Sequence, residues 1–298
     1  MAETSAIQWT DATVNFWWGC TKVGPGCDHC YAETWNNFRG NKMWGTGAPR
    51  RPIKGAAALI RKLQRQAPEF FAEHGRRRRV FMQSMSDTFD NEVEQAWRVE
   101  MFAEIEEAPD LEIQLLTKRI GNVPKMVPVH WAHGLWPRHV GLMATVVNQA
   151  EFDRDVPKLL ATNWNYGIPW VGLSIEPMLG PIKIGEVRLD WIIAGGESGA
   201  EARPSHPHWF TSLRDQCAAN GTPFLFKQWG EWLPARRSTP TVVWGDGTVD
   251  HDGSHHGNAN ANGPGYNVER VGKKTAGRLL DGIEHNGFPK IRQSRIAA

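Results

Sequence analysis

Three cysteines stand within eleven residues of "WWGCTKVGPGCDHCYAET" (17–34): Cys20, Cys27 and Cys30, with six residues between the first two and two between the last two. One further cysteine, Cys217, lies far along the chain in "SLRDQCAANG" and reads as a helix residue packed on a sheet. Three local thiolates can take three corners of a cuboidal iron-sulfur cluster and leave the fourth iron open to an exogenous ligand. The same trio can serve a structural zinc, whose fourth ligand would come from His29, Asp28 or Cys217. Buried thiols without any ligand fit poorly with so glycine-rich and polar a segment. The "TKVGPG" between the first two cysteines is long enough to wrap a cluster, and its glycines and proline favour tight turns.

Other chemistry-bearing residues recur just past runs that read as strands. Ser84, Met85, Ser86 and Asp87 follow one run; Thr117, Lys118 and Arg119 the next; Asn148 the next. Ser174 and Glu176 end a fifth, Gly195-Gly196-Glu197-Ser198-Gly199 and then Arg203 follow a sixth, and Lys227-Gln228 close a seventh. Each alone passes as a helix cap or a solvated loop residue. Recurrence at corresponding positions points to one ligand crevice, because in β/α barrels and open α/β sheets the carboxyl ends of the strands line the site.

The elements that must position these groups follow from the pattern. Short apolar runs at 14–19, 79–85, 111–117, 140–146, 170–176, 191–196 and 223–229 alternate with helix-like stretches, as in a parallel sheet built from βα units. Residues 55–74 and 91–107 read as helices; in the second, Val93, Trp97, Met101 and Ile105 recur every fourth residue and form one apolar stripe. The class is α/β. A partial β/α barrel and a doubly wound sheet both satisfy the pattern.

At 298 residues the chain can bury a large core without disulfides. The opening "MAETSAIQWTDATVNF" has no basic head before an apolar core, and no apolar run reaches bilayer length, so a soluble, cytoplasmic protein is expected. In a reducing compartment the cysteines are ligands, nucleophiles or buried fillers rather than disulfide partners. A net charge of +2 gives no strong field toward nucleic acid or lipid, so such binding must come from local patches.

The opening "IQWTDATVNFWWGCTKVGPGCDHCYAE", with "SMSDTFD", "LLTKR", "LSIEPMLGPI", "WIIAGGESGAEARP", "FLFKQWGEW" and "VGKKTAGRLLDG", resembles the phage-associated branch of the radical S-adenosylmethionine superfamily. The resemblance implies a partial β/α barrel over 1–235 with its cluster loop at 19–31, and a polar hairpin, loop and short helix over 236–298. It implies a 4Fe-4S cluster on Cys20, Cys27 and Cys30, with S-adenosylmethionine chelating the open iron through its amino and carboxylate groups. Reductive cleavage of that sulfonium and hydrogen abstraction from a substrate would follow, with an electron donor of flavodoxin or ferredoxin type.

Within that frame Asp87 suits the methionine ammonium, Lys118 or Arg119 its carboxylate, and Asn148 or Ser174 the ribose hydroxyls, while Ser84 and Ser86 supply further acceptors. His29, just before the last cysteine, either stacks on adenine or is a solvated loop residue. Glu176, Glu197, Arg203, Lys227 and Gln228 remain for substrate groups or proton transfer, unless Glu176 and Arg203 simply pair. The six-residue spacing departs from the superfamily's commonest signature, and the Gly-Gly-Glu at 195–197 follows the sixth strand, too late for the superfamily's amine-binding position.

For the substrate, a modified nucleobase or a nucleotide is one expectation. Arg76 to Arg79, the pairs Arg50-Arg51 and Arg236-Arg237, and 15 tryptophans supply charge and stacking surface. A solvated arginine run ahead of a strand and a tryptophan core are the plainer readings. Residues 236–266 predict a hairpin at "TVVWGDGTVDHD" followed by a polar loop whose His251, His255 and His256 are loop residues before they are metal ligands. A zinc-stabilised nucleic-acid-binding module without redox chemistry is the competing function.

Overall fold

Continuous apolar runs flanked by polar loops become strands at six of the seven expected places. The computed structural model describes residues 1–235, 239–251 and 264–291. Its main strands, named here β1 to β7, are Ala12–Val14, Arg78–Met82, Leu111–Thr117, Val140–Thr145, Val171–Ile175, Trp191–Gly195 and Phe224–Gln228. They form one parallel sheet in the order β1-β2-β3-β4-β5-β6-β7. A doubly wound sheet reverses its strand order at a switch point; this one does not. The fold is therefore α/β of the partial-barrel kind, with spatial order following chain order.

β1 departs from the expected 14–19. Only Ala12–Val14 pairs with β2, in register Ala12↔Val80 to Val14↔Met82. Trp17–Trp18 leaves the sheet and forms an antiparallel ribbon with Arg51–Pro52. Apart from Asn15 the run is apolar, so no regular alternation marks where the chain turns out of the sheet. Residues 55–74 also divide, into Ala56–Arg65 and Ala67–His74. Pro68 has no N–H to continue the first helix, and its ring would clash with the carbonyl four residues back. In the helix Gln95–Glu106, Met101 and Ile105 are buried as the stripe requires, with Val93 just ahead of it.

By internal contacts the chain divides into two compact units, one of residues 1–144, 155–171 and 290–298, the other of 145–154 and 172–289. The first unit holds β1 to β3 and most of β4, with Val80, Met82, Ile113, Leu115 and Leu142 fully buried. The second holds most of β5, with β6 and β7, around Leu173, Ile193, Leu225 and Phe226. It also carries a four-stranded antiparallel sheet of Trp232–Pro234, Tyr266–Arg270, Val242–Val243 and Val249–Asp250 in that spatial order. The last two are the expected hairpin, paired Val242↔Asp250. His255, His256, Arg236 and Arg237 lie outside the described residues. The late "VGKKTAGRLLDG" gives only the four-residue helix Lys273–Ala276. Among the described residues no helix is long and apolar enough to cross a membrane.

Candidate functional site

The cluster loop begins where the ribbon ends. Gly19 has φ +106°, and a Cβ there would meet the Met43 carbonyl oxygen at 2.5 Å, so only glycine lets the chain pass this close. Bridges tie Gly19 to Ser86 and Cys20 to Trp44, and Cys20 O accepts from Gly45 N at 2.9 Å. Two arginines then pin Thr21. Arg50 Nη2 donates to its hydroxyl at 2.6 Å, and Arg119 Nη2 to its carbonyl at 2.6 Å. Lys22 spans the loop, reaching Asp28 O at 3.1 Å and the Glu33 carboxylate at 3.0 Å. Cys27 ends the turn Pro25–Cys27 and is buried; Cys30 is the N-cap of the helix Tyr31–Phe38.

Arg119, directly after β3, links the loop to the acids that follow β2. Its Nη1 lies 3.5 Å from Cys20 Sγ and 3.1 Å from Asp87 Oδ2. Burial works against the guanidinium charge, but Asp87, Cys20 and Asp90 more than offset it and hold the group above the usual arginine range. Burial pushes the Cys20 thiol up to about 12, against the pull of Arg119. Asp87 is filled by its own chain. Oδ1 accepts from Phe89 N at 2.9 Å and Thr117 Oγ1 at 2.7 Å, and Oδ2 from Lys118 N at 3.0 Å as well as Arg119. A carboxylate offers about four lone-pair sites, and these four bonds use them. Asp87 thus organises the strand ends and has no site left over for an ammonium.

The remaining first-unit candidates are placed as follows. Ser86 Oγ donates to Trp17 O at 3.1 Å, and Ser84 Oγ accepts from Asn15 Nδ2 at 3.0 Å. Tyr31 Oη donates to Ser84 O. Lys118 is half-buried beside Asp87, and His29 is half-buried on the loop. Gln83, directly after β2, takes φ 63°, an uncommon conformation for a side-chain-bearing residue. Its Oε1 accepts from Phe16 N at 2.6 Å, while its Nε2 is buried and has no partner among the described residues.

Sequence reasoning missed the buried pair beneath the loop. Arg50, read from the sequence as part of a basic pair with Arg51, has a side chain only 1% exposed, and its Nε donates to Asp90 Oδ2 at 2.8 Å. Its Nη1 donates to Ala48 O at 2.9 Å. No local signal marks it, because its partner lies forty residues on. Arg76 to Arg79 are likewise not a free basic stripe. Arg76 forks onto Asp11 at 2.6 and 2.9 Å, Arg78 reaches Glu3 O at 2.7 Å, and Arg79 Nε lies 3.5 Å from Glu112.

The second unit gathers its own candidates. Glu176 Oε1 accepts from Lys227 Nζ at 2.6 Å and Gln228 Nε2 at 3.2 Å, and Gln228 Nε2 also donates to Ser198 Oγ at 2.7 Å. Glu197 pairs with Arg203 through Nε at 2.8 Å and Nη2 at 2.6 Å. Where the sequence left open a pairing of Glu176 with Arg203, the hydrogen bonds seen are Glu176 with Lys227 and Glu197 with Arg203. Gly196 is required by packing, since a Cβ there would meet the Trp229 carbonyl oxygen at 1.9 Å. Asn148 caps the helix Gln149–Tyr166, its Oδ1 accepting from Glu151 N at 2.9 Å. Ser174 is buried within β5, and Cys217 in the helix Pro207–Asn220, where burial raises its thiol to about 12.

A cluster on this loop would draw its protein ligands from Cys20, Cys27 and Cys30. All three thiols are free, one is buried, one caps a helix, and one has a guanidinium beside it. Among the described residues no three His, Cys, Asp or Glu side chains are grouped to hold a metal ion. A cuboidal cluster binds each cysteine through a different iron and so does not require its thiolates to meet at one point.

Three solved structures of spore photoproduct lyase are similar to this chain. A tyrosine-to-phenylalanine mutant of that enzyme matches at 13% identity and TM-score 0.40, covering 72% of this chain and 63% of that one. A cysteine-to-serine mutant matches at 13% and 0.38 with the same coverage. The lyase complexed with dinucleoside spore photoproduct matches at 14% and 0.36, covering 76% and 58%. The chain thus spans about three-fifths of the length of these structures. No curated protein matches it. A family model matches residues 4–289, nearly the whole described chain, and by that match the protein belongs to the family described as protein of unknown function (DUF5131).

Proposed function

We propose that this protein is a radical S-adenosylmethionine enzyme whose 4Fe-4S cluster is held by Cys20, Cys27 and Cys30. The observation that carries the reading is a loop with three free thiols. It follows the ribbon that succeeds the first strand of a sequentially ordered parallel sheet and is pinned at Thr21 by two arginines. When bound and reduced, the cluster would supply the electron that cleaves the sulfonium and allows hydrogen abstraction from the substrate.

The chain's own residues supply the setting. Arg119 places positive charge at Cys20, partly opposing the burial that raises its thiol, and orients the loop through Thr21. Asp87 fixes Arg119, and Thr117 fixes Asp87. With Asp87 saturated, the polar groups left for S-adenosylmethionine in this unit are Ser84, Ser86, Lys118, His29 and the unpartnered Gln83 amide. In the second unit, Glu176 with Lys227 and Gln228 forms a polar triad able to bind substrate or move a proton at Oε1. A flavodoxin- or ferredoxin-type partner would deliver the electron.

The test is anaerobic reconstitution followed by dithionite and S-adenosylmethionine. Release of 5′-deoxyadenosine from the wild type, and none from Cys30→Ala, is the expected result. Wild-type protein that holds one zinc and releases none would remove the proposal.

A further inference from the structure

Beside the cluster loop, the first unit has a cavity of about 750 Å³ lined by Trp18, Trp35, Arg39, Asn41, Arg51 and Lys54, among others. Three segments build it. Trp18 and Arg51 face each other across the ribbon, and Trp35 with Arg39 comes from the end of the helix Tyr31–Phe38. The two indoles meet edge-on with centroids 4.7 Å apart, and the Arg39 guanidinium lies 4.7 Å from the Trp35 ring centre. No Asp or Glu lines the cavity, and among the described residues Arg39, Arg51 and Lys54 have no acidic partner within ion-pair distance. Phe38, next to Arg39, is 84% exposed.

The volume lies in the range of small-ligand sites. Its chemistry is narrow: aromatic faces and edges with unpaired cations around them. Stacking surface plus phosphate-pairing charge is the combination that holds single-stranded nucleic acid, where bases lie on aromatic rings or guanidinium planes and the backbone tracks the cations. An acidic peptide would use the charges and leave the indoles idle.

We infer that this pocket docks single-stranded nucleic acid, a base seated against Trp18 and Trp35 and the flanking phosphates on Arg39, Arg51 and Lys54. The binding stands on the pocket alone; only its use, to present a nucleotide substrate, rests on the proposed function.

The test is fluorescence anisotropy of the full chain with a labelled twelve-nucleotide thymidylate, across a salt series. Trp35→Ala should weaken binding about five- to hundredfold, with Trp35→Phe recovering most of it. Arg51→Ala/Lys54→Ala should reduce the slope of log affinity against log salt by roughly 0.7 for each phosphate contact removed. Trp164→Ala, at an 83% exposed indole on another helix, should bind as the wild type does. Thermal melts confirm that each variant is folded, and iron content read in parallel separates this result from the cluster's. The inference is overturned if the wild type fails to bind at low salt, if Trp35→Ala and Arg51→Ala/Lys54→Ala bind as tightly as wild type, or if a poly-glutamate peptide of equal charge competes equally.

Discussion

Asp87, Arg119 and Cys20 form a chain of contacts in which each polar group is explained by the next. The carboxylate is saturated by two backbone N–H groups, a hydroxyl and a guanidinium, and the guanidinium carries that order to a thiol. Replacing Arg119 with lysine keeps the charge but loses the fork that spans Cys20, Asp87 and Thr21. Reconstituted Arg119→Lys should therefore hold markedly less iron than wild type by colorimetric assay. Alanine at Cys20, Cys27 or Cys30 should reduce iron from about four to below about one per chain, whereas Cys217→Ala should retain it. At this scale the sequence was informative where the signal is local: three thiols in eleven residues announce themselves. The saturation of Asp87 was hidden because its partners come from Phe89, Thr117, Lys118 and Arg119, on two segments that meet only in the fold.

Between residue and molecule, the buried Arg50–Asp90 pair joins the start of the cluster loop to the turn after β2. Both side chains are almost wholly out of water, so removing one leaves the other uncompensated. Arg50→Ala should cost about 3–5 kcal/mol in a denaturant titration, and should expose the loop to proteolysis near Thr21 before the rest of the chain. Six strands were legible because a buried parallel strand is a short apolar run bounded by turn residues. β1 was misplaced because "VNFWWG" is apolar both where it pairs in the sheet and where it turns into the ribbon. The split at Gln66 was readable in principle from Pro68, but the apolar periodicity on both sides masked it.

At the scale of the whole molecule, each unit contains a histidine held neutral by its setting. Burial lowers His139, whose Nε2–H donates to Ile105 O at 2.9 Å. Burial also lowers His206, whose Nε2–H donates to Pro264 O while its Nδ1 accepts from His208 N at 3.2 Å. Their folded pKa values lie below the unfolded value of about 6.5, so the unfolded chain binds these protons first. Their contribution to stability is complete above about pH 6.5 and declines as pH falls toward the folded values. Denaturant midpoints should therefore drop between pH 7.5 and 5.5, and His139→Gln should show a shallower drop. Sequential strand order was not legible, since order along the chain does not dictate order in space; neither were the pairings Glu176–Lys227 and Glu197–Arg203 in the second unit.

The account turns on three cysteines holding a cluster with one open iron. Electron paramagnetic resonance of the anaerobically reconstituted, dithionite-reduced protein, recorded with and without S-adenosylmethionine, reads that directly. A reduced 4Fe-4S signal that changes on adding S-adenosylmethionine, and is absent from Cys20→Ala, is the predicted result. A signal indifferent to S-adenosylmethionine, or a colourless protein with about one zinc per chain, would contradict it.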